Sequence, residues 1–488
     1  MAGINLKNKH IILITILLLG LIALITVPRD LLDVTDLNDY SDTAKYFAGE
    51  YRADHRSSHS MIYGFVLSPF VIFDSFVLLK IISIIWLILI IISIYYISNK
   101  NRKTLLLFLT APLLWYMAPW LSPVQAAALF FLWAYHFVRK FENTGKNNYI
   151  LYAGLLTGLA TSFWDTALYY SAIFLVSFFY NKKFYLIWLF LSSMFLGLLP
   201  RLIFDQAVFG FAFFGILKNF LAVISFGTDG GIYQQGYNSQ TFFRFLIFFI
   251  FIPICFFKFY KKKNFLDHKK TMIFLTLSLL FSLTDPVIKL IFFLLPIMIL
   301  LLGENLNEKQ FRIQITIFIF LTILVIVPYL IQFRYEVNAR DIVEVVIKNE
   351  NIKLIYPFTL DLIKSDLEKI EKDYPNEVFL VGPDKDYYRR FAHLYWGDRI
   401  KKFVSIEDYQ LYFENKTIIS SKEIRTNASG DLRREMWLEV GIGRNHNDNT
   451  DYNSIKYGLS LDEDDIGIIG FKLIKKYERL YLFEKQLS

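Results

Sequence analysis

The sequence predicts a polytopic all-α membrane protein of about 11 transmembrane helices, followed by a small C-terminal extracytoplasmic α/β domain. Three observations lead there. The 488 residues are 55% hydrophobic and 18% aromatic, with a positive mean hydropathy. That is too apolar for a soluble two-domain enzyme and too long for a simple anchor. Apolar runs near the length of a membrane span recur as far as residue 333, and basic residues gather in the alternate loops between them.

Residues 10–28 form the first run, preceded by Lys7 and Lys9. No small-residue cleavage site follows, so it reads as a retained helix rather than a signal peptide. Further runs lie at 75–98, 104–119, 124–139, 149–164, 166–181, 184–204, 241–258, 271–284, 287–303 and 313–333. The clusters at Lys100/Arg102/Lys103, Arg139/Lys140/Lys146, Lys182/Lys183, 258–270 and Lys309/Arg312 share one side with the N-terminus. About eighteen basic residues fall on that face against roughly nine on the other, which predicts a cytoplasmic N-terminus and an outer C-terminus. Residues 1–334 are the expected transmembrane domain and 335–488 the expected extracytoplasmic soluble domain.

Three outer features follow from this topology: loop 29–74, loop 205–240 and the polar tail. The first loop closes with the apolar stretch Met61 to Phe73, too short to span, and is expected to hold helices lying along the membrane surface. In the tail, helical patterns at 338–350 and 360–374 alternate with β-rich runs at 377–381 and 417–420. Phe471 to Ile474 and Leu480 to Phe483 read as a closing hairpin. Asn415-Lys-Thr417 and Asn427-Ala-Ser429 are glycosylation sequons, compatible with an outer location.

The net charge of +8 does not signal nucleic acid, because the basic residues sit in short clusters between apolar runs. A single cysteine, Cys255, supports neither a disulfide framework nor a cysteine metal site. The abundance of Phe, Ile, Lys and Asn matches an AT-rich genome, so the aromatic richness is no evidence of a ligand site.

Chemistry concentrates after the first run, in Asp36-Leu-Asn-Asp39-Tyr40-Ser-Asp42-Thr-Ala44. Asp36, Asp39 and Tyr40 fall on one side of a helix at spacings three and four, so both carboxylates can face one cavity. A carboxylate at a low-dielectric boundary has a raised pKa and is suited to take a proton from a hydroxyl. The same acids equally suit a solvated face or the cap of a helix N-terminus. Arg52, His55, Arg56 and His59 follow; two Arg can hold a phosphate bidentately with His donating, or all four can serve as interfacial anchors. Asp, Glu and His together can also ligate a divalent metal, although no compact motif of metal spacing appears. Asp165, Arg201, Asp285 and Lys289 sit at outer helix ends, where a charge beside the bilayer core is costly and marks a candidate site; snorkelling accounts for Arg201 and Lys289 as well. Tyr233 and Tyr237, in a loop of glycines and amides, can grip a sugar.

Taken in order, these residues resemble the GT-C superfamily of polytopic glycosyltransferases, which includes protein O-mannosyltransferases and the aminoarabinose and lipopolysaccharide-core sugar transferases. Thr35 to Ala44 is similar to that family's acidic pattern in the first outer loop. Gly154 to Ala160 resembles its small-residue helix, and Pro200-Arg201 through Phe209-Gly210 resembles its helix end and turn. Lys289 to Pro296 resembles its basic residue with an apolar run, and Phe471 to Tyr481 its terminal hairpin. Two positions depart: Asp165 stands where many members have a basic residue, and the basic-aromatic pair near the later Pro is reduced to Lys289.

The resemblance implies inverting transfer of a sugar from a polyprenyl- or dolichyl-phosphate donor to a glycan, lipid or protein acceptor outside the plasma membrane of a prokaryote. Asp36 is then the general base, with Asp39 orienting or replacing it and Asp42 nearby. Arg52, Arg56, Arg201 or Lys289 stabilise the leaving phosphate, and His55, His59, Asp165, Tyr233 and Tyr237 complete the substrate site. A divalent metal cofactor suits these acids but is not required by them. A lipid or glycan transporter is the main rival; it predicts inverted repeats and buried midplane charge. A third reading is a non-catalytic sensor or scaffold whose outer domain binds a partner.

Overall fold

The computed structural model describes residues 8–26, 40, 43–49, 60–71, 76–118, 121–180, 184–217, 288–331, 342–347, 350–355, 361–381, 400–402, 454–460, 470–478 and 480–486. Among the described residues up to 331, the main helices are α1 (Asn8–Thr26), α2 (Met61–Val71), α3 (Phe76–Ile97), α4 (Arg102–Leu109), α5 (Pro112–Met117) and α6 (Val124–Thr144). They continue with α7 (Asn148–Phe163), α8 (Ala167–Tyr180), α9 (Phe184–Phe209), α10 (Ile288–Asn305) and α11 (Glu308–Ile331).

The expected set of about 11 membrane-crossing helices is not what the described residues show. By length and composition one helix, the 25-residue stretch Phe184–Val208 of α9, is long and apolar enough to cross a membrane. Met61–Val71, Ile81–Ile97, Ala167–Val176 and Ile291–Glu304 are apolar but shorter. The 14 residues of α8 rise ~21 Å against a hydrocarbon core of ~30 Å. The run at 104–119 fails for a different reason: it is two helices. Pro112 lacks an N–H, so the helix breaks at Ala111. The break is braced where Trp115 Nε1 donates to the Leu109 carbonyl at 2.8 Å and Thr322 of α11 to the Thr110 carbonyl at 2.8 Å. The runs at 241–258 and 271–284, with Cys255, lie outside the described residues.

Helix directions follow from contacts at known register. Gly145, left-handed at φ +69°, ends α6, and α7 starts three residues later. Helices α7 and α9 run parallel with their backbones touching: a Cβ on Gly154 would strike Ser193 and the Phe190 carbonyl, one on Gly158 the Met194 carbonyl, and one on Gly197 the Leu155 carbonyl. The small-residue pattern at 154–160 is thus a packing surface. Phe131 packs on Phe293 with centroids 4.8 Å apart, and Arg139 meets Glu304 at 2.6 Å, so α10 runs parallel to α6. Trp86 on Phe130 and the 2.9 Å bond from Trp133 Nε1 to Ser93 Oγ set α3 in the same direction. One end of the bundle therefore gathers the basic residues, with Lys103 of α4 on Glu308 of α11 at 2.7 Å. Asp165 lies at the other end.

Helix α2 buries one side and leaves Phe65 and Pro69 exposed. Met61, Tyr63, Gly64 and Leu67 are buried among the other helices, because Gly64 lets the backbone close on Thr43. Helix α9 runs past Pro200-Arg201 to Phe209 and stops at Gly210, left-handed at φ +75°, the turn expected there.

Beyond residue 341 the helical pattern expected at 338–350 is instead a hairpin, β1 (Ile342–Ile347) paired antiparallel with β2 (Glu350–Ile355). The β-branched run Ile-Val-Glu-Val-Val-Ile favours strand over helix. Helix α12 (Asp361–Asp373) forms as its pattern predicts. A five-stranded mixed sheet has the order β4-β3-β5-β7-β6, with β3 (Phe379–Val381) parallel to β4 (Ile400–Lys402) and β5 (Tyr457–Ser460). The closing hairpin forms as β6 (Phe471–Lys476) and β7 (Tyr481–Lys485), antiparallel, with a register shift between Leu473 and Lys475. Leu380, Ile455, Phe471 and Phe483 make its core. The turn is clamped from α12: buried Asp366 accepts from the Glu478 N–H at 3.3 Å and the Leu480 N–H at 3.1 Å.

Candidate functional site

At the end of the bundle opposite the basic loops, α7 stops at Phe163 and the chain turns through Trp164-Asp165 into α8. Parallel packing brings the middle of α9 alongside. Arg201, fully buried at 0% exposure, bonds through Nη1 to Asp165 Oδ1, and its Nε lies 3.5 Å from Asp205 Oδ2. Asp205, one turn further along α9, also accepts from the Gly215 N–H at 3.2 Å. Two carboxylates therefore flank one guanidinium, leaving an excess of negative charge. Arg201 Nε and Nη2 and Asp205 Oδ1 have no hydrogen-bond partner among the described residues. Burying such a group is costly unless a partner or ligand completes it.

The acidic segment reaches this corner through its flanks. Ser60 Oγ donates to the Ser162 carbonyl, and Ser162 Oγ donates to the Gly197 carbonyl at 3.1 Å, joining the start of α2 to α7 and α9. Tyr40 meets Tyr63 edge-on with centroids 5.1 Å apart. Thr43 and Ala44 are buried, and the short helix 43–47 places Phe47 5.2 Å from Phe204, the neighbour of Asp205. Phe65 of α2 closes the cluster, 5.0 Å from Phe204. Trp164, beside Asp165, packs on Phe293 at 5.2 Å, so Lys289 in the first turn of α10 belongs to the same end.

Of the residues singled out from sequence, Asp165 and Arg201 are thus brought together, as partners of one another. Asp36, Asp39, Asp42, Arg52, His55, Arg56, His59, Tyr233 and Tyr237 lie outside the described residues, as does Asp285. Asp205 was missed, having been assigned to the loop 205–240; its spacing of four from Arg201 on an apolar helix was the available signal. Among the described residues no cluster of His, Cys, Asp and Glu could hold a metal ion.

No protein-family model matches the chain, and no curated protein matches it.

Proposed function

We propose that the protein is a membrane-bound glycosyltransferase that moves a sugar from a polyprenyl- or dolichyl-phosphate donor to an acceptor hydroxyl on the outer side of the membrane. Asp36 takes the hydroxyl proton, the oxygen attacks the anomeric carbon with inversion, and the bond from that carbon to the phosphate oxygen breaks. The electron pair leaves with the lipid phosphate, whose charge Arg52, Arg56 or Lys289 neutralises. Arg201, already flanked by two carboxylates, acts chiefly as a positioning residue, with Nη2 left for a ligand. Acceptors in this reading are a glycan, a lipid or a protein.

One observation carries the proposal: Tyr40, within the acid run, and residues 43–47, directly after it, pack against α2 and α9 beside the buried Asp165–Arg201–Asp205 cluster. Membrane placement draws on the exposed apolar side chains of α9, among them Trp188, Leu196 and Ile203. The test is turnover of a radiolabelled polyprenyl-phosphate sugar by the protein in lipid, with a crude acceptor fraction. Asp36→Asn should lower polyprenyl phosphate release by ~100-fold or more. No release by the wild type with any sugar offered overturns the transferase; undiminished release by the variant overturns the base. Movement of an intact lipid or glycan without bond cleavage supports the transporter.

A further inference from the structure

The basic end of the bundle carries a belt of rings that sugar transfer at the opposite end leaves unused. Tyr96 closes α3, 5.8 Å from Trp133 of α6. One turn on, Phe137 stacks on Tyr149 of α7 (5.9 Å, interplanar angle 18°) and meets Tyr152 at 5.3 Å. Since Gly154 lies against Phe190 and the helices run parallel, Trp188 of α9 is level with Tyr152. Three of these rings face outward, Trp188 at 73% exposed, Tyr96 at 60% and Tyr152 at about half, while Trp133, Phe137 and Tyr149 are half-buried behind them.

Polarity changes in order along the helix axes. Toward the middle of the bundle the exposed residues are apolar: Ile92, Leu155, Leu191 and Leu196. Next come the rings, and with them Lys140, whose Nζ stands 5.8 Å from the Phe137 centroid and 5.7 Å from that of Tyr149. Past the rings lie exposed Lys100 and Lys146. Hydrocarbon, amphipathic ring, cation is the order of a lipid leaflet read from acyl chain to phosphate. Cations also exceed acids here: Glu304 and Glu308 are met by Arg139, Lys103 and Arg312, and the exposed Glu142 is outnumbered by Lys100, Lys140 and Lys146.

We propose that this belt is a headgroup site for an anionic phospholipid. The phosphate meets Lys140, which the Phe137–Tyr149 stack holds at the height of the rings, where an ammonium over aromatic faces is favoured. Trp188 and Tyr152 sit at the glycerol level, and the acyl chains follow the apolar faces of α7 and α9. The inference rests on the membrane placement proposed above and is independent of glycosyl transfer.

The full-length protein in detergent, offered equal phosphatidylglycerol and phosphatidylcholine, is read by native mass spectrometry. Phosphatidylglycerol should be retained in preference, fall about five-fold in Lys140→Gln, persist in Lys140→Arg and be unaffected by Lys475→Gln. Equal retention of the two lipids, or no fall in Lys140→Gln, overturns the site. A dimer that retains no phosphatidylglycerol overturns it in favour of a second copy of the chain. Alkaline carbonate extraction separates the premises: release from native membranes overturns the membrane placement and this site with it, whereas retention without headgroup preference overturns this site alone.

Discussion

Arg201 and Asp366 are both fully buried charges, and they are satisfied in opposite ways. Arg201 is held by side chains, Asp165 from the turn after α7 and, as an ion pair, Asp205 from its own helix, with Nε and Nη2 outside any hydrogen bond among the described residues. Asp366 accepts from two backbone N–H groups across the turn between β6 and β7, with Lys369 Nζ from its own helix a longer third partner at 3.4 Å. Main-chain donors are fixed once the hairpin forms, so that carboxylate is a clamp with one use. A side-chain cluster can exchange partners, and a guanidinium with a spare donor can accept a ligand without giving up its carboxylates. Buried charge by itself therefore does not mark a functional site; the origin of its partners separates the two cases.

The largest effect should come from breaking the first centre. Arg201→Met leaves two carboxylates buried together and should lower stability by about 3–5 kcal/mol, read as a fall in the thermal midpoint of the whole chain in detergent. Replacing Arg201, Asp165 and Asp205 together with apolar residues of similar volume should recover most of that loss. No recovery in the triple variant would show that the cluster is held by more than charge.

A smaller effect is expected at the clamp. Asp366→Ala strands the Glu478 and Leu480 N–H groups and should cost about 2–3 kcal/mol. Hydrogen exchange at those two amides should speed up while α7 and α9 keep their protection. Exchange that speeds up equally in the helices would mean that the clamp is not local.

The smallest effect lies on the exposed flank of the same hairpin, where Asp373 Oδ2 accepts from Lys475 Nζ at 2.6 Å and from the Tyr477 hydroxyl at 3.1 Å. The Lys475 and Tyr477 hydrogen bonds hold the Asp373 carboxyl below its ordinary range. Its contribution is present above that ordinary value and is lost as pH falls through the lowered one. Burial, then the bond to Asp373, pushes Tyr477 up to about 12, and the Asp373 bond raises Lys475. Both contributions are present below the ordinary values and are lost as pH rises through the raised ones. Protection of the β6 and β7 amides, measured against the intrinsic exchange rate at each pH, should thus be greatest near neutrality and fall toward both extremes. Asp373→Asn should remove the acid limb; an unchanged acid limb would assign it to another group.

Much of this was legible in sequence where one signal dominated. The apolar runs at 75–98 and 149–164 became α3 and α7 within a residue or two, because length and hydropathy there meet no competing cue. The closing hairpin was legible for the same reason. The number of spans was not, since an apolar run records burial and cannot say whether lipid or protein does the burying. Ala111-Pro112 did announce its break in the sequence, but the surrounding apolar run masked it. Arg201 and Asp165 were each visible as costly charges; their pairing was not, because it depends on α7 and α9 running parallel in backbone contact. Nothing in the order of residues states that register before Gly154, Gly158 and Gly197 are seen face to face.

That contact also bears on ancestry. Acids and arginines can migrate among neighbouring positions as a substrate changes, and loops drift faster still. Two main chains pressed together leave no such freedom, since any side chain at 158 or 197 would have to displace a carbonyl oxygen. A relative too far diverged to share a recognisable acidic loop would still need glycine four residues apart on one helix and a third glycine on a later, parallel one. Those three hydrogens in place of side chains are the mark by which this protein's kin can be sought.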